Sequence, residues 1–451
     1  MTNENLDTNA ILSDTEAQTE VGCKAEWHLP KLILTHTPGD ELFLGLVYPE
    51  IALFEKTFDL EGAKSEHAAY CKTLRGLASQ PQVRTVAEVL LDGVPPFDDC
   101  KDERPRNPAR MRLEALARSQ TELNLEKVTR EEDRKAARGY FAKIVQIASP
   151  RVLLSMALQR PELHLKDKPR DVDPALFLRA TATFDFAALP VMLDHYRVRP
   201  LMNMYFARDH MITTAKGVVL GRMANPQRAK EIEIIRAALQ GLKIRPLLEI
   251  SAPNTLEGGD FIPADGHVFI GTGLRTTPDA VKSMLAADVF GVDTVFEVVD
   301  PWRDQQEMHL DTYFNVIDKD LVVLCKDRFT GAPGKHTTVR VWKREPGKPY
   351  SLVRENVPFV KLLAELKYTI VPVEDAVQEL YGINFLTVGP RKIVGVAAPC
   401  DTHPGYKKYT EFQKLLAARG VQATWVEMGN LKRGYGAAHC MTQVLRRAPH
   451  L

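Results

Sequence analysis

What most constrains this chain is a rhythm that sets in after Pro200: strand, turn, helix, strand, repeated in segments of similar length. Val218-Val219-Leu220 reads as a short strand. Asn225-Pro226 then supplies an N-cap and a proline at the first helical position, and Ile232, Ile235, Leu239 and Leu242 mark one helix face, with Gly241 near its end. A strand is expected over 243–250. The order recurs in a strand over 267–270, a helix opened by Thr277-Pro278-Asp279, strands over 321–325 and 392–397, and helices over 359–366 and 409–420. Two-layer units this short predict a modular α/β fold rather than one open parallel sheet.

Upstream, order is expected to begin near Trp27, with a strand over 31–36 and a helix over 60–77. Residues 1–26 are polar and acidic at their start, lacking the basic and apolar regions of a secretory signal, and are expected to form a mobile tail. Over 87–197 the texture changes to long charged helical patterns, such as 122–147, broken by prolines at Pro95-Pro96, Pro105, Pro108 and Pro161. This predicts a mainly helical insert dividing the α/β part into 27–86 and 198–451.

Composition excludes several classes. The balance of Lys+Arg 59 against Asp+Glu 58 leaves a net charge of +1, so no overall field favours nucleic acid or an acidic membrane surface. No apolar run approaches the roughly 18 residues of a membrane helix. Cysteines at 23, 71, 100, 325, 400 and 440 form no CxxC and no regular framework, which suits free thiols in a reducing, cytoplasmic setting. Gly331-Ala-Pro-Gly-Lys335-His336-Thr337 imitates a phosphate loop, but its spacing is broken and His336 stands where the metal-binding hydroxyl belongs, so it reads as an exposed hairpin tip.

Four stretches carry unusual chemistry: Asn203-Met-Tyr-Phe206-Ala-Arg208-Asp209, Leu256-Glu257-Gly258-Gly259-Asp260, Met308-His309-Leu310-Asp311-Thr312, and Arg433-Gly434-Tyr-Gly436-Ala-Ala-His439-Cys440-Met441-Thr442. The third reads as a strand start, which would project His309 and Asp311 from one face. Each alone has an ordinary reading: Asp209 as a cap, Glu257 as a turn acid, His309 as a buried hydrogen-bonded imidazole, Cys440 as a buried thiol. Three acids, an imidazole and a thiol in glycine-rich loops together point to a site for a small cation or a metal.

In this chain order the four stretches resemble those of arginine deiminases, a branch of the guanidine-modifying superfamily. The resemblance covers about 200–451 and is faint over 30–80, where Thr37-Pro38-Gly39-Asp-Glu-Leu42 echoes the family's opening. It implies a five-bladed α/β propeller with a helical insert and a central substrate well. The chemistry is consistent with that. A guanidinium stays protonated and offers five donors in a fixed fork, so a closed site must replace its water with carboxylates. At about 4 Å and an effective dielectric near 20, each contributes about 4 kcal/mol before desolvation.

The resemblance assigns this gripping role to Asp209, Glu257 and Asp311. It makes Cys440 the nucleophile, and His309 the proton donor to leaving ammonia and the base toward water. It implies hydrolysis of free L-arginine to L-citrulline with no metal or organic cofactor, in a homo-oligomer (a dimer or tetramer). Arg228 and Arg275 fit the positions that hold the substrate's α-carboxylate, with Asn203 and Phe206 lining the well. Arg433 matches the basic residue on the nucleophile loop and is expected to neutralise the acids when the site is empty. Two departures stand out. The loop before Cys440 is less glycine-rich than usual, and Leu53-Phe54-Glu55 replaces the family's Phe-Asp-Asp. An amidinotransferase, an agmatine-type deiminase, a His–Cys peptidase and a catalytically silent binding protein remain as alternatives.

Overall fold

The structure is a computed structural model describing residues 18–95, 107–168, 189–330 and 336–450. The chain divides into two compact units, residues 87–201 and the remainder.

The larger unit repeats one connection five times: an antiparallel pair, then a crossover helix, then a third strand parallel to the middle one. In chain order from Met211–Thr213, the first full repeat pairs that strand with Val218–Leu220 and returns through Glu231–Gly241 to Leu248–Glu249. The next joins Phe261–Pro263 and His267–Thr272, then Pro278–Ala286 and Thr294–Val299. A further one joins Phe314–Asp318 and Leu321–Cys325, then Phe359–Glu365 and Thr369–Val373. Leu386–Gly389 and Lys392–Val396 follow, with Tyr406–Ala417 and Gln422–Val426. The last repeat joins the two ends of the chain. Gln443–Ala448 lies antiparallel to Leu29–Thr35, which reaches parallel Gln82–Thr85 through Leu60–Arg75.

Helices appear in the crossovers because a parallel neighbour cannot be reached by a tight turn. Middle strands are continuous apolar runs because both faces are covered, as in the fully buried Leu321–Cys325. The helices bury one stripe, as Glu231–Gly241 does with Ile232, Ile235, Ala238 and Leu239. A hairpin, Thr338–Lys343 with Ser351–Pro358, leaves one repeat and pairs with Thr294–Val299 of the preceding one.

Several expectations need correcting. His309 and Asp311 do not lie on a strand. His309 is extended, Leu310–Tyr313 makes one helical turn, and the strand begins at Phe314. The Leu310 N–H is drawn onto Asp260 Oδ1 at 2.9 Å, which starts that turn. Asn225 caps a short 3-10 turn, Pro226–Arg228, and the helix begins only at Glu231. The strand expected over 243–250 shrinks to Leu248–Glu249, since Lys243 has a positive φ and Pro246 lacks a ladder donor.

In the smaller unit, Pro108–Gln120, Glu131–Ile147 and Pro150–Gln159 are helices. They accompany a three-stranded sheet of Glu122–Lys127, Pro161–Asp167 and Val191–Val198. The stretch 122–147 is therefore a strand followed by a helix. Leu123 and Leu125 alternate with polar residues, a period of two that the charged helix behind them obscures.

Nor are residues 18–26 a tail. Cys23 N–H donates to Thr214 O at 2.8 Å, and Glu26 is buried on Arg447. Residues 1–17, Pro96, Cys100, Pro105 and the imitation phosphate loop at 331–335 lie outside the described residues. No helix among the described residues is long and apolar enough to cross a membrane.

Candidate active site

Asp209, Glu257, His309, Asp311 and Cys440 each fall within five residues before the first strand of a repeat. Asp209 precedes Met211, Glu257 precedes Phe261, His309 and Asp311 precede Phe314, and Cys440 precedes Gln443. Strand starts converge because the sheets are repeats of one plan, so residues far apart in sequence share one cavity. It is lined by Asn203, Phe206, Asp209, Arg228, Arg275, His309 and Cys440, with Leu53, Gln305, Met308, Gly434 and Tyr435. Glu257 and Asp311 stand directly behind that lining, both fully buried.

On one side, His309 Nε2–H donates to Glu257 Oε2 at 2.9 Å, and His309 Nδ1 lies 3.9 Å from Asp209 Oδ1. The close approach of Gly259 leaves room for the ring: a Cβ there would sit 2.7 Å from His309 Nδ1. Burial disfavours an imidazolium, but Asp209, the Glu257 hydrogen bond and Asp260 outweigh it and raise the His309 pKa to about 9. Glu257 likewise overcomes its burial through His309, Arg275 and Arg228, and is lowered to about 2. Its other oxygen accepts the Ala224 N–H at 2.9 Å. Burial raises Asp260 to about 7; its carboxylate accepts from Thr276 Oγ1 at 2.6 Å as well as from Leu310.

On the other side, the Cys440 thiol donates to Asp311 Oδ2 at 3.5 Å. It also accepts from Asn384 Nδ2 at 3.1 Å. His439 Nδ1–H donates to the same Asp311 oxygen at 2.6 Å, and its Nε2 lies 3.7 Å from Glu26 Oε1. Burial pushes the Cys440 thiol well above its ordinary range, and Asp311 and Asp209 push it further. Asp311, despite burial, is lowered by His439. Two carboxylate oxygens, Asp209 Oδ1 and Asp311 Oδ1, are buried and accept no hydrogen bond among the described residues.

The arginines are placed differently from the sequence reading in one respect. Arg228 is the counter-ion of the acids: NH1 is 2.8 Å from Asp209 Oδ2 and 4.0 Å from Glu257 Oε2, while Nε donates to Glu231 at 3.0 Å. Arg275 NH1 is 3.9 Å from Glu257 Oε1. Arg433, expected in that neutralising role, is exposed to solvent at its guanidinium and donates to the backbone carbonyls of Gly429 and Thr57 at 3.1 and 3.0 Å. Tyr435, just beyond it, takes a left-handed conformation and lines the cavity in its stead.

Asn203 and Phe206 are in the cavity wall, and Asn203 Nδ2 donates to Ala52 O at 2.8 Å. Of the doubtful stretch 53–55, Leu53 reaches the wall and Phe54 packs into the core. Asp209, Glu257 and His309 each offer a ligand atom within 4.8 Å of the others, a spacing a metal ion could use. Arg228 already brings a positive charge to Asp209.

Sequence reading missed Asn384. Its Oδ1 accepts the N–H groups of Ala437 and Cys440 at 3.0 and 3.2 Å, and its Nδ2 also donates to Asp311 O at 3.1 Å. It precedes Leu386, the first strand of its repeat, so the rule that places the acids also finds it.

Residues 185–447 match the family model for arginine deiminase. Arginine deiminase of Halobacterium salinarum is 28% identical over 96% of this chain and 97% of that protein. The Streptococcus pyogenes arginine deiminase is 24% identical over 96% and 99%. Among solved structures, dimethylarginine dimethylaminohydrolase from Pseudomonas aeruginosa complexed with citrulline is similar at 15% identity and a TM-score of 0.49, covering 93% of this chain and 100% of that one.

Proposed function

This chain belongs to the arginine deiminase family, and from that premise we propose that it hydrolyses free L-arginine to L-citrulline and ammonia through an amidino group carried on Cys440. The observation that carries this reading is an unpartnered buried carboxylate oxygen, Asp209 Oδ1, in the wall of a cavity that the Cys440 thiol also lines, with a second, Asp311 Oδ1, in the carboxylate behind that thiol. A buried acceptor without a donor is costly, and a planar cation with several N–H groups relieves it. We read the five repeats as blades of an α/β propeller whose strand starts ring that well.

The thiol is neutral in the empty site. A substrate guanidinium brings the positive charge that thiolate formation needs, and the thiol proton passes to solvent. The thiolate attacks the guanidinium carbon and forms a C–S bond. Protonated His309 gives its proton to one nitrogen, the C–N bond breaks, and ammonia leaves. The neutral imidazole then takes a proton from water as its oxygen attacks the same carbon. The C–S bond breaks as the remaining O–H proton is lost, through solvent, to the released ammonia, so the ureido product forms and the thiolate is regenerated. Glu257 holds the ring through Nε2 throughout, and Asn384 stabilises the sulfur anion by its N–H. Arg275 holds the α-carboxylate end, with Asn203 and Phe206 beside it, while Arg228 stays paired with Asp209 and Glu231.

The test is product analysis in plain buffer. Wild-type protein is expected to release citrulline and ammonia from L-arginine in equal amounts, and Cys440→Ser to release neither. Turnover that survives Cys440→Ser, or that requires an added amine acceptor, sinks the reading.

A further inference from the structure

One buried cation stands apart from this chemistry. Arg328, 3% exposed, donates from NH1 to Asp300 Oδ1 at 2.5 Å and from NH2 to Glu307. Its guanidinium stacks 4.0 Å from the Tyr313 ring centroid and 4.7 Å from that of Trp302. Asp300 and Glu307 are the two ends of the loop between Thr294–Val299 and His309, so a single side chain ties both ends down. Asp300 also accepts the N–H groups of Trp302 and Arg303 at 3.0 and 3.3 Å, which fixes the loop's first turn. An arginine paired with two acids and covered by two aromatic faces is a rigid anchor.

What the anchored loop presents to the cavity is Gln305 and Met308. Gln305 Oε1 accepts from Arg275 NH2 at 2.9 Å. Arg275 NH1 lies 3.9 Å from Glu257, and Arg275 Nε is buried with no acceptor among the described residues. An arginine so close to a carboxylate would ordinarily collapse onto it as a bidentate pair. That pair would cancel the charge of Glu257 and use up the donors of Arg275. Gln305 holds one nitrogen with a neutral acceptor, which leaves the cation intact and Nε open.

We propose that Gln305, on a loop that Arg328 clamps at both ends, is a specificity-determining residue that holds Arg275 off Glu257 and so favours substrates bearing an α-carboxylate. Arg328 is its positioning residue. This rests on the L-arginine reading above. A decarboxylated guanidine such as agmatine gains nothing from a poised Arg275, so the effect belongs in discrimination between the two substrates.

Steady-state ammonia release from L-arginine and from agmatine tests it in wild-type protein, Gln305→Glu, Gln305→Ala and Arg328→Lys. Gln305→Glu keeps the side-chain shape but adds an anion that captures Arg275 and repels the substrate carboxylate. It is expected to raise KM for L-arginine by about tenfold or more, the worth of one charge-assisted hydrogen bond, with a much smaller change in kcat. The ratio of kcat/KM for L-arginine to that for agmatine should fall by a similar factor. Gln305→Ala and Arg328→Lys should move the ratio in the same direction by less. Melting temperatures identify a variant that fails to fold; should Arg328→Lys unfold, the Gln305 variants decide. An active wild type whose substrate ratio is unchanged in the Gln305 variants overturns this inference alone. A wild type that releases no ammonia from L-arginine overturns it together with the proposed function.

Discussion

Asn384 shows how much one neutral side chain carries. Two backbone N–H groups of the Cys440 loop end on its Oδ1, and its Nδ2 reaches both the sulfur and the Asp311 carbonyl. Replacing it with alanine leaves those two donors buried without acceptors, a penalty of about 1–3 kcal/mol each before relaxation. Asn384→Ala should therefore lower stability in urea unfolding by about 2 kcal/mol or more and reduce turnover of L-arginine at least tenfold. A variant as stable and active as wild type would show that the loop is held by something else. The acids and the thiol were legible in the sequence because carboxylates, imidazole and thiol in glycine-rich loops are rare company. An asparagine between Ile383 and Phe385 carries no such mark, and only the strand it precedes gives it away.

At the scale of elements, glycine separates packing from propensity. Gly258 lies so close to its neighbours that a Cβ would sit 2.0 Å from Arg208 O and 2.2 Å from Met211 O. Those atoms are backbone and cannot turn aside, so Gly258→Ala must move one site loop against another. Gly139, in the exposed face of Glu131–Ile147, has nothing within 4 Å of the same position. There alanine only restricts the unfolded chain, and Gly139→Ala should stabilise by roughly 0.5–1 kcal/mol. Thermal unfolding of the two variants is expected to move in opposite directions; movement in the same direction would contradict this account. The same contrast explains the misread element at 309–313. Aromatic and β-branched composition announced a strand, but one hydrogen bond to a buried carboxylate from another loop bent its start into a turn. That turn sends His309 to Glu257 and Asp311 to Cys440 instead of setting them side by side.

For the molecule as a whole, the buried charges make stability depend on pH in two windows. Glu257 and Asp311 have depressed pKa values in the folded protein, so the stability they confer is present above their ordinary range and is lost as pH falls through their folded values. Asp260 and His309 are raised, to about 7 and about 9, so their contributions favour the folded state at low pH. The His309 contribution is complete below its ordinary value of 6.5 and is lost as pH rises toward 9. The unfolding midpoint should thus drop between about pH 6.5 and 9, and Asp209→Asn, which removes the strongest charge favouring the imidazolium, should flatten that drop. An equally steep drop in the variant would show that another group titrates there.

By itself the sequence determined the repeating α/β grammar, the approximate places of the crossover helices and which acids, imidazole and thiol come together. These follow from local periodicity, capping and residue chemistry, which a linear string records. Tertiary structure alone decided which group pairs with which. It set Arg228 rather than Arg433 beside Asp209, gave Asp311 to the thiol and Glu257 to the imidazole, and buried residues 18–26 against the last strand. Those pairings depend on distances between loops separated by tens to hundreds of residues, and on the burial that makes an unpaired charge intolerable, neither of which is written in any one stretch of the chain.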